Sequence, residues 1–299
     1  MSEGGKQAPG GHLAEYGVKD AAEEAELRGR LRAFYERTLT EGQGAYFNLR
    51  DGLLVPTPMG RHWMAEHVRL FRWLFDMQKT DRFLDVGCGE GYYTMPLAAH
   101  AGYTVGADLS QSVLRVFRGL KNFPAEQIRL VNGDVERLPF PDESFDKILC
   151  SHVLEHVLDD RAVLDEIHRL LRPDGRAILA IPLKYTPQHR TVYAAIGLAR
   201  SVLKPGKRGT PHLPPGSLNK ALVGRQAHIR HHSLAGFLAL VRSAGFEVEV
   251  VKGMWFHDPR NWFVRRTQTW ALTYGIGTRI SKIWPGLGAG VVVVVRHSG

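Results

Sequence analysis

Cysteine is scarce in this chain of 299 residues, which has only Cys88 and Cys150. Two cysteines cannot build a disulfide framework, and neither has the neighbouring Cys or His of a zinc site. Long apolar runs are also missing, since the longest, Leu287–Val295, is too short to cross a bilayer. The first residues, Met-Ser-Glu-Gly-Gly-Lys-Gln, lack the apolar centre of a signal peptide. We therefore expect a protein of the reducing cytoplasm.

Acidic residues are absent from one long segment. No Asp or Glu occurs from Leu183 to Phe246, where ten Lys and Arg residues occur. Residues 1–183 carry 22 Lys and Arg against 27 Asp and Glu, whereas residues 184–299 carry 17 against 3. Such a region can be a solvated basic face, or it can attract an acidic substrate, a phospholipid headgroup or nucleic acid. We favour the second interpretation.

The middle of the chain alternates between strand and helix patterns. Strands are predicted at 83–86, 103–107, 128–132, 145–150 and 176–182, and helices at 92–101, 111–119 and 159–171. This alternation predicts an α/β fold in which a parallel sheet has helices on both faces.

Other elements flank this core. Helices are predicted at 21–39 and 61–77, a loop at 42–58, a helix at 234–244 after the N-cap Ser233, and strands at 246–252 and 291–295. The predicted organisation is a disordered tail (1–20), an N-terminal helical lid (21–79), a core (80–182), a basic insertion (183–232), and a remainder (233–299) with an aromatic and basic insertion at 254–289. Tyr46 and Phe47, in the predicted loop, are candidates to fold over a ligand or to pack in the core.

The run Phe-Leu-Asp-Val-Gly-Cys-Gly-Glu-Gly-Tyr-Tyr at 83–93 is the most informative motif. A strand ends near Asp85, and the turn that follows has glycines at 87, 89 and 91, so a ligand can approach bare backbone. The helix after it offers free N–H groups to an anion. A dinucleotide fingerprint needs a third glycine where Tyr92 stands, and the Gly-Lys-Ser/Thr of a phosphate loop is absent. The turn therefore predicts a site for a cofactor carboxylate and not for a pyrophosphate.

Further motifs follow in order, each at the carboxyl end of a predicted strand or leading into one: Tyr103–Asp108, Val131–Asp134, Phe145–Ser151 and Leu171–Gly175. Together with the glycine turn, they resemble the class I S-adenosylmethionine-dependent methyltransferases, in particular their small-molecule (type 11, quinone-methyltransferase-like) branch. The resemblance is close over about residues 80–182 and loose elsewhere. It implies a doubly wound, Rossmann-like sheet of seven mostly parallel strands whose last strand is antiparallel, with N-terminal helices and helical insertions.

The resemblance also implies the cofactor, S-adenosylmethionine, and the residues that bind it. Asp108 would bind the ribose hydroxyls, and Asp134 the exocyclic amine of the adenine. The full set that the resemblance implies is Asp85, Gly87, Gly89, Gly91, Tyr92, Asp108, Leu109, Asp134, Val135 and Ser151.

The candidate catalytic residues are histidines. Methyl transfer is an in-line displacement that depends mostly on positioning, and it needs a base only where the nucleophile holds its proton tightly. The loop Ser151-His-Val-Leu-Glu-His156 would lie beside the reactive methyl in this fold, which makes His152, Glu155 and His156 candidates for proton removal or acceptor contact. Alternatively, His156 only braces the loop. His228 is a third candidate for either the pocket or packing, and the absence of Asp and Glu around it argues against a metal site.

Three functions remain open from the sequence. The first is a methyltransferase for a small or medium organic acceptor with an anionic group and an apolar body, such as a lipid or quinone-like molecule, with peripheral contact to an anionic membrane as a specific form. The second is a nucleic-acid methyltransferase, which the charge and aromatics suit. However, the loop after the fourth strand lacks an Asn/Asp-Pro-Pro-aromatic or Pro-Cys motif. The third is a non-catalytic protein that binds S-adenosylmethionine.

Overall fold

The computed structural model describes residues 20–38, 47–50, 52–56, 58–183, 230–254, 279–280 and 282–298. Its strands are β1 (Phe47–Arg50), β2 (Leu53–Pro56), β3 (Arg82–Val86), β4 (Tyr103–Asp108), β5 (Ile128–Asn132), β6 (Phe145–Ser151), β7 (Leu171–Pro182), β8 (Phe246–Met254) and β9 (Gly290–His297). Its helices are α1 (Ala21–Thr38), α2 (Pro58–Phe75), α3 (Thr94–Ala98), α4 (Gln111–Arg118), α5 (Asp160–Leu170) and α6 (Leu234–Ser243).

One sheet of seven strands organises the protein, in the order β5-β4-β3-β6-β7-β9-β8. The strands from β3 to β7 pair in parallel, and β9 runs antiparallel to both of its neighbours. The predicted seven-stranded, mostly parallel sheet with an antiparallel last strand is therefore confirmed. The strand order reverses beside β3, which has β4 on one side and β6 on the other. Ligands of open α/β sheets bind at the carboxyl ends of the strands next to such a reversal.

The central strands are apolar on both faces. Residues 177–181 of β7 and 291–295 of β9 are buried throughout, as expected where helices cover both sides of a sheet. On one face β7 and β9 pack against side chains of α5 and α6, and on the other against Phe71 and Phe75 of α2. The layers predicted from the alternation of strands and helices are thus present.

Side-chain caps fix where several helices begin. The Ser110 hydroxyl accepts the N–H of Val113 at the start of α4, and the Ser233 hydroxyl accepts that of Gly236 at the start of α6. Each bond satisfies one of the N–H groups that a helix leaves without an internal partner. The predicted cap at Ser233 is confirmed.

The loop predicted at 42–58 is wrong in part, because β1 and β2 form an antiparallel hairpin there. Arg50 pairs with Leu53, and Gly52 adopts a φ of +73° in the tight turn between them. The sequence Asp51-Gly52 is a strong signal for such a turn, because both residue types tolerate positive φ. Phe47 is thus a strand residue, while Tyr46 lies outside the described residues.

Both predicted insertions, 183–232 and 254–289, lie mostly outside the described residues. Among the helices that are described, none combines the length and the hydropathy that crossing a bilayer requires.

Candidate functional site

The glycine turn joins the carboxyl end of β3 to α3, and its three glycines all have positive φ: +71° at Gly87, +53° at Gly89 and +86° at Gly91. At Gly87 and Gly91, close packing also leaves no room for a side chain. A Cβ on Gly87 would lie 2.4 Å from Val153 Cγ2, and one on Gly91 would lie 2.1 Å from Phe117 Cζ. These two glycines therefore hold the turn against the loop after β6 and against α4.

Gly89 differs from its neighbours, because no atom of the described residues lies within 4 Å of where its Cβ would be. Its N–H donates to Asp108 Oδ2 at 2.9 Å. Packing within the described protein thus does not explain the missing side chain. An open space directly against the backbone is what a ligand that presses on the turn requires.

Asp108 ends β4 and ties the turn to α4. Its carboxylate accepts the N–H of Gly89 and, at 2.9 Å, that of Ser110. Burial raises the pKa of Asp108, and these two backbone N–H groups act against that rise by stabilising the charged form. Asp108, the acid predicted at the end of the second core strand, thus lies at the edge of the site and is held there by two backbone N–H groups.

Asp85 lies beneath the turn, almost fully buried at 3% exposure, and accepts a hydrogen bond of 2.6 Å from Thr94 Oγ1. Burial raises its pKa to about 7, the Thr94 bond acts against this, and the charge of Asp108 adds to it. Burial also raises the pKa of Glu90. Three acids of raised pKa around one turn favour a cationic ligand, whose charge would stabilise their ionised forms.

The end of β5 carries the residues expected at the adenine. Val135 is buried, whereas the side chain of Asp134 is 47% exposed and lies with Oδ2 3.7 Å from Arg28 Nη1. Arg28 Nη1 also pairs with Glu136 Oε2 at 2.6 Å. Leu109 contributes its carbonyl, which accepts the side-chain amide of Asn132 at 2.8 Å. These residues thus line one side of the edge where Asp108 stands.

Helix α1 crosses this edge of the sheet. Besides Arg28, its Arg32 Nη2 donates to Asn132 Oδ1 at 3.4 Å, and its Glu36 carboxylate accepts the N–H groups of Gln111 and Ser112 at 2.7 and 3.1 Å. Tyr35 OH lies 2.9 Å from His156 Nδ1. The sequence predicts a lid in this region but does not single out these residues. Their positions, 28, 32, 35 and 36, share one helix face, and this periodicity is the signal that could have grouped them.

The loop after β6 completes the edge. Ser151 is buried, and its Oγ has no hydrogen-bond partner within the described part of the chain. His152 has a φ of +60°, and its Nδ1 lies 3.1 Å from Glu155 Oε1. His156 Nε2 lies 3.8 Å from the same Glu155 oxygen. The candidates His152 and His156 are therefore brought together around one buried carboxylate.

His228, the third candidate, lies outside the described residues. The chain nearby docks on the same loop: Arg230 donates its backbone N–H to the Glu155 carbonyl at 3.2 Å and pairs with Asp160 at 3.0 Å. His232 Nε2 lies 3.4 Å from the other Asp160 oxygen. Among the residues described, no group of three or more His, Cys, Asp or Glu could hold a metal ion.

Tyr92 and the two cysteines complete the predicted positions. Burial raises the pKa of the Tyr92 hydroxyl, with a further contribution from the charge of Glu90. Cys88 and Cys150 are buried thiols without a disulfide, and burial raises the pKa of each well above its usual value. These thiols are protonated core residues and not nucleophiles.

Comparison with known sequences gives a family match over the core. Residues 84–179 match the family described as "Methyltransferase domain". A demethylmenaquinone methyltransferase of Listeria welshimeri is 34% identical over 118 residues, which are 38% of this chain and 48% of that protein. A probable S-adenosylmethionine-dependent methyltransferase of Mycolicibacterium smegmatis is 29% identical over 196 residues, 66% of this chain and 63% of that protein. The chain thus spans about half the length of the demethylmenaquinone methyltransferases that it matches.

Solved structures show the same fold. A chain of the complex between the Haloferax volcanii Trm112 methyltransferase activator and the putative methyltransferase superposes with a TM-score of 0.54 at 18% identity, covering 80% of this chain and 91% of that one. The [4+2]-cyclase SpnF superposes with a TM-score of 0.54 at 16% identity, covering 93% and 96%. At such identities the likeness concerns the fold alone.

Proposed function

We propose that this chain, whose residues 84–179 match the methyltransferase domain, is a class I S-adenosylmethionine-dependent methyltransferase that transfers a methyl group to a small or medium organic acceptor. The observation that carries the proposal is the open position at Gly89, whose N–H is bound to Asp108. A ligand that lies on this turn meets bare backbone on one side and a carboxylate on the other.

The residues at the edge of the sheet fit this cofactor. Asp108 would bind the ribose hydroxyls, the turn 87–91 the amino-acid end, and Asp134 with Val135 the adenine. When bound, S-adenosylmethionine supplies a methyl group on a positively charged sulfur. The three acids at the turn suit that charge, and α1 over the same edge limits the access of water.

For the acceptor we propose an anionic group joined to an apolar, quinone-like body. The acid-free segment 183–246 supplies positive charge, and the segment 254–289 is rich in Trp and Phe. The relatives named as demethylmenaquinone methyltransferases support a quinone-like ring. Because the sulfur is cationic, basic residues suit the far end of the acceptor and not the methyl group.

Calorimetry with S-adenosylmethionine tests the cofactor site. Asp108→Asn is expected to weaken binding by about 1.5–3 kcal/mol, because the charge-assisted hydrogen bonds of the carboxylate are lost. Glu126→Gln, an exposed acid before β5 at the opposite edge of the sheet, serves as the control and should bind normally. Unchanged affinity of the Asp108 variant would show that this acid does not bind the cofactor.

Flotation with vesicles tests a peripheral membrane contact, which we propose as the source of an apolar acceptor. The protein is expected to float with vesicles that contain anionic phospholipid and to stay behind with neutral ones, since basic segments with Trp bind anionic interfaces. Replacing Lys207 and Arg208 by Glu should reduce flotation. Equal recovery with both kinds of vesicle rejects the membrane contact and leaves methyl transfer untouched.

A further inference from the structure

His152 is held in an unusual backbone conformation at the carboxyl end of β6. Its φ of +60° lies in the left-handed region, which a non-glycine residue adopts only where surrounding contacts impose it. Here its N–H donates to the Ala180 carbonyl at 2.8 Å, and the next residue, Val153, fills the space left by Gly87. The contacts of the glycine turn thus impose the position of the His152 ring.

Glu155 orients that ring. It is only 2% exposed, and its Oε1 accepts a hydrogen bond of 3.1 Å from His152 Nδ1. Burial alone would raise the pKa of Glu155, but the hydrogen bond from His152 and the nearby imidazole of His156 lower it to about 2. The carboxylate therefore stays ionised at neutral pH, keeps the proton on Nδ1 and leaves the basic lone pair of His152 on Nε2.

The neighbouring groups single out His152 among the histidines of this edge. His156 has Tyr35 OH of α1 2.9 Å from Nδ1, so its ring joins α1 to this loop, and its Nε2 lies 3.8 Å from the Glu155 carboxylate, farther than the Nδ1 of His152 at 3.1 Å. His67 Nδ1 of α2 lies 3.1 Å from Tyr93 OH, and burial, with the charge of Lys282 adding to it, lowers the pKa of His67 to about 3. His67 is therefore neutral and adds no charge at neutral pH.

We propose that His152 is a general base, that Glu155 is its positioning residue, and that the methylated group is a hydroxyl which is protonated at neutral pH, such as that of a phenol or quinol. This deepens the proposed methyl transfer and rests on it. An oxygen nucleophile of this kind is the class that needs a base, because a neutral hydroxyl is a weak nucleophile until its proton is taken.

The step balances as a single displacement. The acceptor oxygen forms a bond to the methyl carbon while the carbon–sulfur bond breaks, and the electron pair of that bond stays on sulfur. The hydroxyl proton moves to His152 Nε2, and the imidazolium that forms is stabilised by the ionised Glu155. The proton then leaves to solvent, which returns His152 to its neutral form.

Three naphthalene probes test the class of acceptor. These are 1-naphthol, which is protonated at neutral pH, 4-nitro-1-naphthol, which is ionised, and 1-naphthylamine, with transfer followed from methyl-labelled S-adenosylmethionine. His152→Asn removes the base, and Asn is suited to the left-handed backbone at this position. We expect it to slow methylation of 1-naphthol about 10²–10⁴-fold, the usual range for a general base, and to change that of 4-nitro-1-naphthol less than tenfold. Glu143→Asn, another non-glycine position of positive φ at 52°, controls for the backbone change.

A second measurement is independent of turnover. Nitrogen-15 NMR of protein labelled at histidine and saturated with S-adenosylhomocysteine reports which ring nitrogen carries the proton, and the spectrum of His152→Asn identifies the His152 signals. We expect His152 to carry its proton on Nδ1, and Glu155→Leu, which removes the acceptor of that proton, to lose this preference. The same preference in both proteins overturns the proposed pair, even if none of the three probes is methylated.

The outcomes separate this proposal from the proposed function. Equal slowing of both naphthols in His152→Asn would show that His152 only shapes the site, and methylation of 1-naphthylamine alone would exclude the hydroxyl class. Both results leave methyl transfer intact. Absence of binding of S-adenosylhomocysteine to the folded wild type would instead reject the proposed function itself.

Discussion

Gly89→Asn is expected to weaken cofactor binding by about two orders of magnitude while the protein stays folded. Asn accepts a φ of +53° better than most residues, and no described atom lies within 4 Å of the new Cβ. The unfolding free energy should therefore fall by only about 1 kcal/mol or less. The side chain would occupy the space in which we place the cofactor, so affinity for S-adenosylmethionine in calorimetry should fall by about two orders of magnitude, roughly 3 kcal/mol.

Two other glycines provide matched comparisons. Gly52→Asn makes the same change at a φ of +73° in the hairpin turn, where the nearest atom is the flexible Lys121 side chain at 3.4 Å, and it should bind the cofactor normally. Gly91→Ala would place a Cβ 2.1 Å from the buried Phe117 ring and should lower the unfolding free energy by several kcal/mol. Normal cofactor affinity in Gly89→Asn would mean that the ligand does not lie on this turn.

The parts of the fold that the sequence predicts are those whose signals are local. The core strands were recognisable because short apolar runs end in Gly, Asp or Asn, and β5 was predicted with the bounds that the structure shows. The glycine turn was recognisable because its positive φ values and close packing require glycine. Strand β7 begins at Leu171 and not at 176, because Leu171 pairs with Phe145 ahead of an irregularity in the ladder that no periodicity reveals.

The contacts of α1 could not be predicted, because they join residues far apart in the chain. Tyr35 lies beside His156, and Glu36 beside Ser112, because the fold brings these distant segments together. The sequence shows that α1 has a polar face but not which surface that face covers. The same holds for Glu155, which the sequence offers as a candidate for acceptor contact or as a cap of the next turn, because only the fold shows it buried between two histidines.

Asp85→Asn is expected to make the protein more stable above neutral pH. Burial raises the pKa of Asp85 from 3.8 to about 7, so the folded protein holds a proton that the unfolded chain releases. Stability from this proton is present at acidic pH, declines as the pH rises above about 4, and is lost above about 7. Beyond that point the fold carries an ionised, buried carboxylate. At about 1.4 kcal/mol per pKa unit, the rise of about three units sets an upper cost of about 4 kcal/mol.

Asparagine removes this charge and keeps an oxygen that can accept the Thr94 hydroxyl. Urea unfolding should therefore give a higher free energy for Asp85→Asn than for the wild type at pH 8.5, by up to about 4 kcal/mol, and the difference should shrink on acidification and vanish near pH 4. Asp142→Asn, at a position whose side chain is 75% exposed, should show no such trend. A difference that does not change with pH would mean that Asp85 is not held with a raised pKa.

S-adenosylmethionine should stabilise the wild type more than it stabilises Asp85→Asn. This difference would connect the buried charge of Asp85 with cofactor binding. A cationic ligand near the turn lowers the cost of the ionised carboxylate, so S-adenosylmethionine should raise the Tm of the wild type more than that of Asp85→Asn at pH 8.5. The neutral thioether of S-adenosylhomocysteine lacks the sulfonium charge and should raise the two Tm values more equally. Equal shifts with S-adenosylmethionine would contradict the view that this buried acid is retained, at a cost to the fold, for the charge of the cofactor.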